Sequence, residues 1–387
     1  MNDAVGLLAT LVGFRTLSRQ PNLDLIEFVE SYLREFGVAS RRVPHADGTR
    51  ANLYATIGPR ERGGICLSGH ADVVPVAGQP WSTDPFALTE RDGRLYGRGT
   101  SDMKGFLACV LAAVPAFVAE PLALPIHIAI SYDEEIGCVG VRDLLDELAV
   151  DAARPIGCIV GEPTQMRLAS AHKGKRAYRC CVRGLAGHSA QPQLGVNAIE
   201  YAAELVTSLR GSARAMQADG TRDARFDPPW TTVQTGTIEG GVAVNVVPDR
   251  CTFDFEIREL VGADGERIVE AFTGFANGTL LPEMRRVSAD ASIELEALSA
   301  YPGLRDDASS LALKSLCADL LGDEREETTL SFGTEGGLFQ AIGIPAVVCG
   351  PGAISRAHRA DEYVTADELG ECLRFLERLA GHCRQPS

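Results

Sequence analysis

Two histidines and a set of acids fall at separated points of the chain. They are His70 and Asp72 in Ser68-Gly-His-Ala-Asp72, Asp102 in Ser101-Asp-Met-Lys-Gly105, Glu134 and Glu135 after Asp133, Glu162 between Gly161 and Pro163, and a late His358. Two imidazoles with a surplus of carboxylates form the ligand set expected for two hard-to-borderline cations that share a bridging carboxylate and one water. The chemistry this suggests is metal-dependent hydrolysis.

Each segment adds a constraint. His70 and Asp72 follow the apolar run Gly64–Ser68 and alternate, so their side chains leave the same face of a strand. One can ligate while the other orients it, because a carboxylate on the far ring nitrogen fixes the tautomer and raises basicity. Asp102 sits in the glycine-rich turn Gly97–Gly105, which lacks the glycine spacing of phosphate-binding loops. Carboxylate ligation is favoured there, with one cation on each oxygen at a separation of about 3.5–4 Å. Glu134 and Glu135 end an apolar run that starts near Leu124. Neighbours on a strand point to opposite sides, so one is expected to ligate and the other to act as a base whose pKa the crowded acids raise. Glu162 follows the next apolar run, and His358 follows the turn Gly350-Pro-Gly352. Of the remaining histidines, His45, His127 and His382 read as structural or exposed, and His172 and His188 stay open.

The elements that must position these residues alternate. Apolar runs at 52–57, 65–68, 126–132, 156–160 and 346–349 are separated by helical spacing at 104–118, 138–148 and 307–321, after an amphipathic helix over 24–36 that stops at Gly37. This predicts an α/β sheet with its chemistry in loops at the carboxyl ends of strands. Between about Ala177 and Val287 the pattern changes to period-two strands at 178–182, 231–238 and 251–257, around helices near 195–210 and 263–275. At 387 residues two domains are expected: a metal-bearing domain of 1–176 plus 288–387, and an inserted α+β domain of 177–287.

A net charge of −15 argues against nucleic acid or an anionic membrane as partner. The start of the chain carries Asp3 and no basic region, which argues against a secretory leader. The apolar run Phe106–Val118 is shorter than the roughly 20 residues of a membrane span. Eleven scattered cysteines without a Cys-x-x-Cys pair read as reduced thiols, and a cytoplasmic location is the expectation.

Taken in order, Gly69-His-Ala-Asp72, Gly97–Gly105, Asp133–Glu135, Gly161–Thr164 and Gly187-His-Ser-Ala190 resemble the dinuclear zinc amidohydrolases and peptidases. That family includes acetylornithine deacetylase, succinyl-diaminopimelate desuccinylase, aminoacylase and glutamate carboxypeptidase. The resemblance spans essentially the whole chain. It implies one ion on His70 and Glu162, the other on Glu135 and His358, and Asp102 between them, with zinc the expected metal and cobalt or manganese able to substitute. It further implies that Asp72 orients His70, that Glu134 is the general base, and that the inserted domain is a lid and dimer contact. In such a homodimer His188 would reach the neighbouring subunit's site and stabilise the oxyanion. Within the family, Ser131–Cys138, Ala171–Gly174 and Ser331–Gln340 are most similar to the acetylornithine deacetylases, which implies hydrolysis of N2-acetyl-ornithine, with the desuccinylases second. Asn245 and Arg258 match residues that grip a substrate carboxylate, and Glu335 is expected to meet a substrate ammonium. A non-catalytic scaffold is the alternative of a different class, and retention of Glu134 argues against it.

Overall fold

In the computed structural model, which describes residues 4–262, 264–322 and 326–384, the chain divides into two units. One comprises 1–171, 304–329 and 334–387; the other comprises 172–303 with 330–333. The fold is mixed α/β.

The larger unit is built on an eight-stranded sheet, ordered Ser40–Pro44, Ala51–Ile57, Ile126–Ser131, Ile65–His70, Gly157–Val160, Ala346–Val348, Ala169–His172, Thr328–Leu330. Its four central strands, Ile126–Ser131, Ile65–His70, Gly157–Val160 and Ala346–Val348, pair in parallel. Each is buried along its whole length, as near-continuous apolar runs in a parallel sheet must be. Because they are parallel, their carboxyl ends share one edge, where His70 ends its strand and the departing loops carry Glu134, Glu135, Glu162 and His358.

The helix Lys104–Val118 is apolar on every side and almost fully buried, as a helix inside a core should be. Pro115 lies in its interior and has no N–H for the Leu111 carbonyl, which the Tyr32 hydroxyl satisfies instead at 3.1 Å. The amphipathic helix runs Leu23–Glu35, and Gly37 follows at φ +74°, the left-handed conformation that ends helices. No helix among the described residues is long and apolar enough to cross a membrane. The eleven cysteines are unbridged.

The parallel strands crowd at their ends. A Cβ on Gly350 would sit 2.0 Å from the Gly161 carbonyl oxygen, next to Glu162. Gly350→Ala is therefore expected to cost about 1–3 kcal/mol, as overpacking does in tight cores. Denaturant unfolding checks this, and a midpoint equal to the parent's would contradict it.

The smaller unit holds a four-stranded antiparallel sheet ordered Thr232–Gly240, Arg250–Glu259, Gly174–Arg183, Ser292–Tyr301. Arg250–Glu259 alternates buried and half-buried residues, the signature of a sheet with one packed face. That face packs against helices Ala198–Asp219 and Asp264–Phe275 through Phe253, Phe255, Leu205 and Phe272. Asn197 caps the longer helix by accepting from the N–H groups of Ile199 and Glu200. The fourth strand, Ser292–Tyr301, lies beyond residue 287, where the sequence pattern places the boundary; it pairs with Gly174–Arg183 and so belongs to this sheet. Ala263, the first residue of the expected 263–275 helix, and Asp3 lie outside the described residues.

Candidate metal centre

His70 is the last residue of its strand and is 1 % exposed. Its Nε2 lies 3.2 Å from Asp102 Oδ1 and 3.7 Å from Glu162 Oε1. The other Asp102 oxygen, Oδ2, lies 3.3 Å from His358 Nε2, which is 2.9 Å from Glu135 Oε2. Two ligand sets result, His70–Asp102–Glu162 and Asp102–Glu135–His358, and within each the donor atoms fall inside 4.8 Å of one another. Asp102 belongs to both and gives one oxygen to each. One imidazole nitrogen and two carboxylates per set suit a borderline divalent ion such as zinc or cobalt.

The supports are specific. His70 Nδ1 faces the Asp72 main-chain carbonyl at 2.9 Å, with the Asp72 carboxylate farther away at 3.4 Å. That carboxylate accepts from the Glu134 N–H at 3.0 Å, the Glu135 N–H at 3.4 Å and the Ser18 hydroxyl at 2.8 Å. Asp72 thus ties the end of one parallel strand to the loop that leaves the next. Ser18 had no signal in the sequence, since it lies fifty-four positions away in a loop of its own.

Glu134 and Glu135 point apart, but not through strand alternation. The strand stops at Ser131, and Asp133 adopts φ +53°, so strand alternation does not apply to the pair. Glu135 turns to His358, whereas Glu134 Oε1 accepts from the Cys138 thiol at 3.2 Å and joins neither ligand set.

Glu335 departs from its expected role. It is 1 % exposed, and its two oxygens accept from the hydroxyls of Ser68 and Ser131. Held this way, the carboxylate braces the ends of two parallel strands.

In the smaller unit, His188 is exposed, accepts from the Ala190 N–H through Nδ1 and pairs in a short ladder with Val246. Asn245 is its neighbour there, its carbonyl accepting from the Ser189 N–H. Arg258 stands apart, with its guanidinium on Glu256 and the Tyr301 hydroxyl. The structure therefore brings His188 and Asn245 together and leaves Arg258 in a separate cluster.

Burial and crowding load the larger unit's site with protons. Burial, together with the nearby acids, pushes the Glu134 carboxyl up to about 8 and Glu135 up to about 7, and it raises Glu162 well above its ordinary value. Hydrogen bonds to Asp102 and Glu135 lift His358 to about 10. Burial disfavours a charged His70, yet its contacts with Asp102 and Asp72 outweigh this and raise it well above the usual imidazole range. The protons on Glu135, Glu162, His70 and His358 occupy donor atoms that a cation needs, so metal binding near pH 7 is expected to release protons, and affinity is expected to rise with pH through about 7. Titration calorimetry in two buffers of different ionisation enthalpy measures the release; identical heats in both would contradict it.

A model of peptidase family M20/M25/M40 matches residues 66–382, the span that contains all five of these ligand candidates. The chain belongs to that family. Among curated relatives, acetylornithine deacetylase of Myxococcus xanthus is 36% identical over 97% of this chain and 96% of that protein. Acetylornithine deacetylase of Pasteurella multocida is 35% identical over 94% of this chain and 91% of its own. Among solved structures, the M20 family metallo-carboxypeptidase of Sulfolobus solfataricus aligns with a TM-score of 0.75 at 18% identity, covering 98% of this chain and 99% of that one. A dinuclear metal-binding M20 peptidase of Bacillus subtilis aligns with a TM-score of 0.71 at 16% identity, over 99% and 98%. At such identities these M20 structures speak for the fold, which they share with this chain along its whole length.

Proposed function

We propose that this chain hydrolyses the N-acetyl amide of N2-acetyl-L-ornithine to L-ornithine and acetate. In this reading two divalent ions, zinc or cobalt, are held by His70, Asp102 and Glu162 and by Asp102, Glu135 and His358. The observation that carries it is the division of Asp102, one oxygen toward each ligand set. The shared name of the curated relatives supports the choice of substrate. Bound at such a site, a pair of dications polarises a carbonyl oxygen and makes water a nucleophile near neutral pH.

The chain's own residues supply the rest. Glu134 is buried, lies beside both ligand sets without joining either, and is held by the Cys138 thiol. With cations bound beside it, its carboxyl is drawn back down from the raised value that burial gives, which leaves it free to take a proton from the attacking water and return it to the departing amine. Asp72 orients His70 and fixes the backbone of both glutamates. His188 donates to the developing oxyanion and Asn245 meets the substrate carboxylate, with Arg258 joining it bidentately only on leaving Glu256. A homodimer in the cytoplasm completes the reading.

Steady-state assays of zinc- or cobalt-loaded protein test it. The comparison is N2-acetyl-ornithine against N-succinyl-diaminopimelate, N-acetyl-methionine and an unblocked dipeptide. The expected result is the highest kcat/KM for N2-acetyl-ornithine. A clear preference for the succinyl compound or the dipeptide would replace the substrate, and no turnover of any of the four would count against the deacylase reading.

A further inference from the structure

The best-connected buried ion pair near the metal centre is one that the proposed chemistry does not use. Arg98 and Glu362 are each 1 % exposed and lie 2.6 Å apart, Nη1 to Oε2. A buried pair gives little net stability by itself, because desolvation offsets its attraction. What these two groups contact is more informative.

The Glu362 carboxylate gathers the turn that carries Asp102. Its Oε1 accepts from the N–H groups of Ser101 at 2.9 Å and Asp102 at 3.0 Å, and its Oε2 accepts from Gly99 N–H at 3.1 Å. Arg98 reaches the other way. Its Nη1 also donates to the Arg359 carbonyl at 3.3 Å, and its Nη2 donates to Gln79 Oε1 at 2.7 Å. Gln79 Nε2 in turn donates to the His358 carbonyl at 2.9 Å. The guanidinium lies 5.1 Å from the centre of the Trp81 ring, and the indole N–H donates to Gln79 Oε1 at 3.0 Å. Three side chains therefore link the backbone of one ligand to the backbone of another.

His358 needs such a tether more than the other ligands do. It follows no strand directly, its φ of +61° is in the left-handed region, and its side chain is half exposed. His70 instead ends a buried strand and is fixed by the Asp72 carbonyl.

We infer that the Arg98–Glu362 pair, acting through Gln79, is a positioning device that sets the approach of His358 to Asp102 and so the metal affinity of the Asp102–Glu135–His358 set. This rests on the two-ion reading above. Removing Gln79 releases the His358 arm and leaves the Asp102 turn on Glu362. Changing Glu362 disturbs the Asp102 turn itself, which both sets share.

The test is chelator-competition titration of the full chain with Zn2+, with the visible absorption of Co2+ as a second readout. The parent is expected to bind two ions. In Gln79→Leu one dissociation constant should stay close to the parent's, while the other weakens by about 10–100-fold, the usual effect of losing a group that orients a ligand. The Co2+ spectrum should change for that ion alone. Glu362→Gln should weaken both ions, and Gln79→Leu decides the matter if that variant does not fold. Two ions in the parent with both constants unmoved in Gln79→Leu, or both weakened alike, would overturn the positioning role. A parent that binds a single ion would overturn the two-ion reading and this inference with it.

Discussion

Replacing Glu134 with alanine is expected to lower kcat on N2-acetyl-ornithine by about 100- to 10,000-fold, the range that a positioned acid–base group commands, with both ions still bound. The separation of effects follows from geometry. Glu134 stands outside both ligand sets, so its removal takes no donor from either cation. It does take away the one buried carboxyl beside them that carries a thiol hydrogen bond and a pKa raised to about 8 by burial. Metal content per chain and kcat at saturating substrate, measured on the same sample, check both halves. Activity within about tenfold of the parent would remove Glu134 from the chemistry.

Asp102→Ala is expected to weaken both ions, whereas His358→Ala weakens one. The difference comes from the two oxygens of Asp102, each 3.2–3.3 Å from a different imidazole. Loss of a ligand should exceed the roughly 10–100-fold effect of losing an outer partner. If a dissociation constant rises about 100-fold, the stabilisation that saturating metal gives the folded state falls by about 2.7 kcal/mol for that ion. Thermal unfolding with and without zinc reads this directly. The metal-dependent rise in Tm should nearly vanish in Asp102→Ala and persist in part in His358→Ala; equal behaviour of the two variants would contradict a shared carboxylate.

Much of this site was legible in the sequence for one physical reason. Parallel strands bring their carboxyl ends to one edge, so acids and histidines that directly follow successive apolar runs must converge, as His70, Glu135 and Glu162 do. Asp102 and His358 were found by their glycine-rich turns and by resemblance. What local pattern could not reveal is long-range. Arg98 and Glu362 meet across 264 positions, and neither lies in a periodic segment that announces a partner. Glu335 was assigned to a substrate from its place in the Ser331–Gln340 motif alone. Only the fold brings it onto the hydroxyls of Ser68 and Ser131. The strand Ser292–Tyr301 escaped notice although Ile293-Glu-Leu-Glu-Ala297 alternates by two; a bulge between Ala297 and Ser299 breaks the alternation, and its place is decided by pairing with Gly174–Arg183.

These five side chains are proposed to hold two ions with Asp102 between them. Crystals of the protein grown with zinc, with anomalous diffraction collected on either side of the zinc absorption edge, test it most directly. Two peaks are expected about 3.5–4 Å apart, one bounded by His70, Asp102 and Glu162 and the other by Asp102, Glu135 and His358. A single peak, or two peaks that do not share Asp102, would contradict it.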